Sequence, residues 1–151
     1  MLIREDDLSG PEIGKLLETH LAYAQQCFPD DSNHTLNLDG LRVPEITFWT
    51  VWEAENLLGC GALKEIDSGH GEIKSMHTVE AHRGKGIATL LVKHILDVAR
   101  QRFYPRISLE TGAKDAFSTA HALYARFGFE YCEPFADYKK DVYCDFMTLE
   151  L

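Results

Sequence analysis

The sequence has few of the features that commit a chain to metal, membrane or nucleic-acid chemistry. Its four cysteines form no Cys-x-x-Cys pair and its seven histidines show no metal-ligand spacing, so we expect reduced thiols and no metal. No apolar run is long enough to span a membrane and no signal peptide is recognisable, which predicts a cytoplasmic protein without a membrane partner. The net charge of −9, without any Lys/Arg run, argues against nucleic acid as a partner.

The length and hydrophobic content of the chain are those of one folded domain. Its 151 residues, 45% of them hydrophobic, are enough to bury a two-layer core without disulfide or metal support. We therefore expect a single domain over residues 1–151. The chain has 24 acidic and 15 basic residues. This excess of negative charge mildly favours a cationic or neutral small molecule as a ligand.

Strand and helix patterns alternate along the chain and predict an α/β fold. Apolar runs typical of strands occur at Leu2–Arg4, Glu45–Glu53, Leu57–Ile66, Glu72–Thr78, Arg106–Glu110, Phe129–Glu133 and Tyr143–Leu151. Helical patterns run from the capping-box spacing of Ser9–Glu12 to about Cys27, over a short turn at Leu36–Leu41, and from Gly84 to about Phe103. A last helix runs to about Phe127, and the side chain of Asp115 or Ser118 is expected to cap its start. Gly128 then stands where a helix end favours a left-handed residue.

The order of these elements predicts a mixed central sheet. The three strands between residues 45 and 78 are joined by tight turns, which is typical of an antiparallel meander. A long helix separates Glu72–Thr78 from Arg106–Glu110, so these two strands are expected to run parallel. We predict a mostly antiparallel sheet of six or seven strands, flanked by about four helices.

A glycine turn between a strand and a long helix has the clearest chemical meaning. Gly84 and Gly86 remove side chains where the helix begins, and the unpaired N–H groups of a helix N-terminus attract anions. A phosphate-bearing ligand is therefore predicted. A P-loop is excluded because Val79 stands where its first glycine is needed and no Ser or Thr follows Lys85. The dinucleotide pattern fails because Thr89 replaces its third glycine.

Two motifs carry a resemblance to a known family. Residues 83–88, Arg-Gly-Lys-Gly-Ile-Ala, resemble the pyrophosphate-binding signature of the GCN5-related N-acetyltransferases, and residues 120–129 resemble the Ala-x-x-Leu-Tyr-x-x-x-Gly-Phe segment that closes their acetyl-CoA cleft. The likeness extends from about Leu2 to Leu151. Shorter matches to a bacterial small-molecule branch of this family occur at residues 48–49, 59–63, 71–76 and 109–112.

The resemblance implies an acetyl-CoA-dependent enzyme, without a metal, whose sheet splays between its fourth and fifth strands. Backbone N–H groups of residues 84–88 would hold the pyrophosphate, and the edge of Met76–Thr78 would bind the pantetheine arm. The main-chain amide of Met76 or His77 would polarise the thioester carbonyl. Lys85 is equally explained as a solvated side chain. The implied cofactor-binding residues are Met76, His77, Thr78, Arg83, Gly84, Lys85, Gly86, Ile87, Ala88, Ser118 and Tyr124.

The same resemblance implies two catalytic residues. Tyr124 would be the general acid that protonates the thiolate of CoA, since a phenol with a reference pKa of about 10 is protonated at neutral pH. Glu72 would be the base that takes the proton from the acceptor amine. Glu110 and His77 remain rival bases. A packed core tyrosine and an exposed strand-end glutamate are the structural alternatives for the first two residues.

The acceptor is less well determined than the cofactor. Where many family members have an asparagine that contacts the cofactor, this chain has Phe117, so that contact must come from Ser118 or backbone, or be absent. A small-molecule amine is expected as the acceptor, selected by Phe28–Leu41, the strand ends and Phe135–Tyr143. Asp31 and His34 lie in the first of these segments and could approach the substrate, and a solvated connection is the structural alternative for each of them.

Two further expectations concern how the chain acts. The alternative to an enzyme is a non-catalytic acyl-CoA-binding sensor or interaction domain on the same fold. A proton donor such as Tyr124 beside the thioester favours the enzyme, because a sensor does not need one. The aromatic side chains of Phe135 and Tyr138 could support a homodimer, and the sequence leaves the oligomeric state open.

Overall fold

A computed structural model describes residues 1–113 and 115–151, which form one mixed sheet with helices on both faces. The strands are β1 (Leu2–Glu5), β2 (Ile46–Glu53), β3 (Asn56–Asp67), β4 (His70–Thr78), β5 (Arg106–Gly112), β6 (Glu130–Cys132) and β7 (Cys144–Glu150). The helices are α1 (Pro11–Cys27), α2 (Leu38–Leu41), α3 (Ile87–Gln101) and α4 (Ser118–Arg126). Within the described residues, no helix is both long and apolar enough to cross a membrane.

The topology of the sheet confirms the predicted class. The strand order is β1-β2-β3-β4-β5-β7-β6, and β1 to β4 form consecutive antiparallel pairs. β4 and β5 run parallel, with α3 as the crossover between them, and β7 pairs antiparallel with both β5 and β6. The helical crossover is what makes the parallel pairing of β4 with β5 feasible.

The parallel pair is short, and this opens the sheet at its centre. Pairing joins His70–Ile73 of β4 to Arg106–Leu109 of β5. Beyond Ile73, β4 continues to Thr78 and β5 continues to Gly112, and no pairing between them is found in the described part of the chain. The predicted splay between the fourth and fifth strands is therefore confirmed.

Two apolar layers cover the two faces of the sheet. The larger layer packs the buried stripe of α3, with Leu91, Val92 and Ile95 fully buried, against β2 to β5. The smaller layer packs α1, through Ile13 and Leu17, against β2 and β3. Burying each such aliphatic side chain contributes about 1.5–3 kcal/mol to the free energy of folding. The sheet, including the part where β4 and β5 separate, is therefore stabilised by packing on both faces.

The helix starts differ from the sequence prediction. Ser9 does not cap α1; its hydroxyl donates to Asp7 instead, and Gly10 occupies the N-cap position without a side-chain hydrogen bond. At α4, a 3₁₀ turn over Asp115–Phe117 leads directly into the helix, so the N-cap position falls on Phe117. The predictions of side-chain caps at Ser9, Asp115 and Ser118 are therefore wrong. The left-handed residue predicted at Gly128 is confirmed, with φ of 96°.

We expect Gly59→Ala to destabilise the fold. A Cβ at Gly59 would lie 2.9 Å from both the carbonyl oxygen of His77 and Cγ2 of Ile87, and the backbone contact cannot move without shifting β4. Overpacking of this kind typically costs about 1–3 kcal/mol. Urea unfolding measures the change. Gly14→Ala is the matched control, because a Cβ there meets nothing within 4 Å and alanine is favoured over glycine inside a helix by roughly 0.5–1 kcal/mol. Equal effects of the two substitutions would contradict the packing argument.

Candidate active site

The glycine turn at the start of α3 is open and leaves backbone N–H groups uncapped. Gly84 and Gly86 have φ of 79° and 81°, a backbone conformation that residues other than glycine rarely adopt. A Cβ at either position would meet nothing within 4 Å. Gly86 is the N-cap residue of α3, and no side chain of the described residues caps its first turn. The first-turn N–H groups thus remain free for an anion, at the end of the helix with a partial charge of about +0.5.

Two cationic side chains lie at this turn. Arg83 and Lys85 are both exposed, and the Nζ atom of Lys85 lies 3.0 Å from Nδ1 of His82. Burial, and to a smaller extent the positive charge of Arg83, lowers the pKa of His77 near the end of β4. Both cations are therefore available to an anionic ligand bound at the N-terminus of α3.

A β-bulge re-aims β4 just where the sheet opens. The register with β3 passes from Cys60–His77 to Ala62–Lys74, so two residues of β4, Ser75 and Met76, stand opposite one residue of β3. Ser75 has a φ of 57°, and its carbonyl oxygen accepts a hydrogen bond from Sγ of Cys60 at 3.3 Å. A bulge bends and twists its strand. The bulge therefore lies in the part of β4 that follows its last pairing with β5 at Ile73.

The imidazole of His77 is paired with that of His20 on α1. Their Nδ1 atoms lie 2.9 Å apart, so one ring donates a hydrogen bond to the other. Burial lowers the pKa of both imidazoles, and burial together with the smaller effect of the adjacent His77 lowers the pKa of His20 to about 4. Both rings are therefore neutral at neutral pH, and the side chain of His77 is engaged by α1.

Tyr124 on α4 is buried and keeps its proton. Its ring packs against Phe129 at 5.6 Å in the same apolar layer as α3, and Met76 of the bulge packs against that layer too. The hydroxyl makes no hydrogen bond to the described residues, and burial raises its pKa well above the usual value. Tyr124 is thus a phenol that stays protonated at neutral pH, which a proton donor requires.

Glu72 lies deep in the sheet rather than at an exposed strand end. It is 2% exposed, and its Oε2 atom accepts a hydrogen bond of 2.6 Å from the hydroxyl of Tyr138. The Nζ atom of Lys74 lies 3.4 Å from the same oxygen and donates to Tyr138 at 2.8 Å. Burial and the charge of Glu72 raise the pKa of Tyr138, so Tyr138 is the donor in this contact.

A second carboxyl group, Glu110, lies at the mouth of the splay. It is the first residue of β5 beyond the part that pairs with β4, and it contacts Nδ1 of His34. Burial raises the pKa of Glu110, and His34 partly opposes that shift. A carboxyl group with a raised pKa is better matched to accept a proton near neutral pH than an ordinary one.

Three potential metal-ligand atoms, from His34, Glu110 and Cys144, lie within 4.8 Å of one another. Burial and the nearby Glu110 raise the pKa of the Cys144 thiol to about 12, and the thiol donates to the carbonyl oxygen of Ser32 at 3.6 Å. A cysteine binds a metal as the thiolate, and the Cys144 thiol keeps its proton. The three side chains are therefore described as a hydrogen-bonded cluster. The sequence-based expectation of no metal stays a prediction.

The remaining predicted residues fall on either side of the splay. Ser118 is the exposed first residue of α4. Phe117 packs its ring onto Gly112 of β5, where a Cβ would lie 2.2 Å from the ring. Phe135 and Tyr138 pack on each other and on Phe146, so their rings make contacts within the chain.

Sequence reasoning missed the contacts of Lys74 and Tyr138 with Glu72, and the contact between His34 and Glu110. These groups come from four separate segments, the loop before α2, β4, β5 and the loop before β7. No spacing rule connects them, because they meet only once the sheet has formed. A polar Lys74 beside Glu72 on one face of a covered strand was the available signal.

Comparison with known proteins identifies the class to which this fold belongs. Residues 13–129 match the acetyltransferase (GNAT) family. The chain is 50% identical to the uncharacterized N-acetyltransferase YsnE of Bacillus subtilis (strain 168) over 151 residues, with both chains fully covered. It is 46% identical to the uncharacterized N-acetyltransferase YedL of Escherichia coli (strain K12), covering 99% of this chain and 94% of that one.

The structural comparison agrees. A GNAT family acetyltransferase from Elizabethkingia anophelis shares the fold with a TM-score of 0.72 at 20% identity, over 99% of this chain and 97% of that chain. The chain therefore belongs to the GNAT family of acetyltransferases, and the resemblance noted in the sequence is confirmed.

The neutral His20–His77 pair predicts a specific loss of stability in acid. The pKa of His20 is about 4 in the folded state and about 6.5 when unfolded, so the unfolded chain binds more protons between these values and stability falls as pH drops through that window. Between pH 7 and pH 5 this amounts to roughly 2 kcal/mol.

The measurement is urea unfolding at pH 7 and pH 5 for wild type and for His20→Gln. Glutamine does not titrate, so the variant is expected to lose less stability than wild type over the same interval. An identical loss in both proteins would show that this pair does not set the acid sensitivity.

Proposed function

We propose that this acetyltransferase moves the acetyl group of acetyl-CoA directly to the amine of a small molecule bound in the same cleft. The observation that carries the proposal is the open glycine turn at the N-terminus of α3, next to the splay of β4 from β5. In support, the related fold from Elizabethkingia anophelis has acetyl-CoA bound. The chain closely resembles two bacterial proteins described as N-acetyltransferases.

In this proposal the cofactor follows β4 into the sheet. N–H groups of residues 84–88 hold the pyrophosphate, with Arg83 and Lys85 as nearby cations. The pantetheine arm runs along the unpaired edge of Met76–Thr78, as an added strand would. Ser118 borders the arm at the start of α4. The thioester then lies at the splay, where a main-chain amide of Met76 or His77 polarises its carbonyl group.

The reaction itself needs proton transfers besides the new bond. The neutral amine attacks the thioester carbon, a C–N bond forms, the C–S bond breaks, and CoA leaves as a thiolate. Tyr124 gives its proton to that thiolate and is then reprotonated from solvent. The acceptor nitrogen loses one proton when its ammonium form becomes the neutral amine and a second when the amide forms. A carboxylate of the site takes each proton in turn, directly or through water, and passes it to solvent.

Glu72 is the proposed proton acceptor, held in place by Tyr138 and Lys74. Glu110 is its rival, since it lies nearer the mouth of the splay and has a raised pKa. The side chain of His77 is a weaker rival, because His20 occupies its Nδ1 atom. The two carboxyl groups lie on the same face of neighbouring strands, so either can serve an amine bound between them.

The direct test of the function is release of CoA from acetyl-CoA in the presence of a panel of primary amines, with the acetylated product identified by mass spectrometry. Transfer to at least one amine is expected. Binding of acetyl-CoA without transfer to any amine would instead support the alternative role of a non-catalytic acyl-CoA sensor.

Tyr124→Phe is expected to lower kcat by about 10²–10⁴, the usual contribution of a positioned general acid. The Kd of acetyl-CoA should stay within about two-fold, because the lost hydroxyl makes no hydrogen bond to the described residues and the buried ring is retained. Single-turnover kinetics isolates the chemical step. Unchanged turnover under those conditions would remove Tyr124 from the mechanism.

Glu72→Gln and Glu110→Gln together identify the base. The substitution that removes the base should lower kcat/KM and abolish the limb of the pH–rate profile on which activity rises with pH. The other substitution should lower activity without altering that limb. We expect Glu72→Gln to abolish it. A Glu72→Gln profile with the wild-type limb would exclude Glu72, and loss of the limb in Glu110→Gln would transfer the role to Glu110.

A further inference from the structure

Three partly exposed aromatic rings form a patch beside the splay. The ring of Phe117, just before α4, lies 5.6 Å from that of Phe28 and 6.2 Å from that of Tyr23, both at the C-terminal end of α1. Tyr23 is 38% exposed, and the other two rings are half-buried. We call these three residues the aromatic wall. The acetyl transfer described above makes no use of it.

The aromatic wall continues directly into the acidic part of the site. Phe117 lies on the Cα atom of Gly112, so tightly that a Cβ would overlap the ring. Gly112 and Glu110 are two residues apart on β5 and therefore share a face, about 7 Å from each other. One end of the aromatic wall, at Phe117, is therefore close to Glu110 and its partner His34.

A fourth aromatic ring, that of Tyr138, lies against His34, the partner of Glu110. The ring of Tyr138 packs edge-on against His34 at 5.0 Å, and Lys74 lies near the same ring. The side chain of Glu110 is 14% exposed, whereas that of Glu72 is 3% exposed. An amine that reaches this face therefore meets Glu110 before Glu72, next to His34 and two residues along β5 from the contact of Phe117 with Gly112.

We propose that the acceptor is a small primary amine that carries an aromatic ring, with its ammonium group at Glu110 and its ring against the aromatic wall. This inference rests on the proposed transferase function and names the class of its second substrate. Offset or edge-to-face aromatic pairs contribute about 0.5–1.5 kcal/mol beyond simple burial, and a cation beside aromatic rings gains a similar amount. An aromatic amine uses both contacts at once, whereas an alkyl amine uses one.

Matched amines test the class. 2-Phenylethylamine and 2-cyclohexylethylamine have nearly the same size and the same ammonium group, but only the first has an aromatic face. We expect kcat/KM to be about ten-fold higher for the aromatic member, which corresponds to roughly 1.4 kcal/mol. Equal values, or a preference for the cyclohexyl compound, would overturn the inference while leaving the transferase function intact.

Two variants test the location. Phe117→Leu and Phe28→Leu should each lower the ratio of kcat/KM for the aromatic amine over the cyclohexyl amine several-fold, with the Kd of acetyl-CoA within about two-fold of wild type. Phe103→Leu is the control, because that ring is 87% exposed at the end of α3 and the ratio should not change. An unchanged ratio with weaker acetyl-CoA binding would assign Phe117 to the cofactor and overturn the inference.

A binding measurement separates the two proposals. If no amine of the panel is acetylated, the proposed function fails. Calorimetry of 2-phenylethylamine with the CoA-saturated protein then still reports on the wall. Binding that Phe117→Leu weakens supports the aromatic subsite, and the absence of binding overturns it.

Discussion

The divergence of β4 from β5 after Ile73 is the constraint on which the rest of the structure depends. The pairing of β4 with β3 continues to Thr78, so one edge of β4 is satisfied while the other is left open. Unpaired strand edges in a protein interior need a partner for their N–H and C=O groups. In the proposed function, the pantetheine arm of acetyl-CoA supplies that partner. Because Gly84 and Gly86 follow β4 after a single 3₁₀ turn, the same strand also fixes the anion site at the start of α3.

Buried charge is the second organising feature, on the opposite face from α3. Carboxyl groups in a sheet interior are retained only when they are hydrogen-bonded or paired, and removing one partner of such a pair costs about 3–5 kcal/mol. Tyr138 and Lys74 satisfy Glu72, and His34 satisfies Glu110. These contacts hold the segments before α2 and before β7 against the splay. The two candidate bases, Glu72 and Glu110, are therefore in direct contact with the segments that border the splay.

The sequence predicted the features that local rules control. The antiparallel meander of β2 to β4, the parallel β4–β5 pair, the glycine turn and the left-handed Gly128 follow from turn spacing, crossover length and backbone freedom, and all are found. The predicted side-chain cap at Ser9 was wrong because the Ser9 hydroxyl donates its hydrogen bond to Asp7, two residues earlier. The network around Glu72 could not be predicted, because Tyr138 is 66 residues away and reaches it only through the tertiary fold. The burial that raises the pKa of Tyr124 and Glu110 is likewise a property of packing.

The central claim is that one strand and the turn that follows it receive the cofactor. Amide chemical-shift mapping by NMR during titration with acetyl-CoA tests this most directly. The account predicts the largest shifts at the amides of Gly84, Gly86 and Ile87, accompanied by shifts along Met76–Thr78, and little change in α2 or β1. Failure of acetyl-CoA to bind, or shifts confined to residues away from β4 and the start of α3, would contradict it.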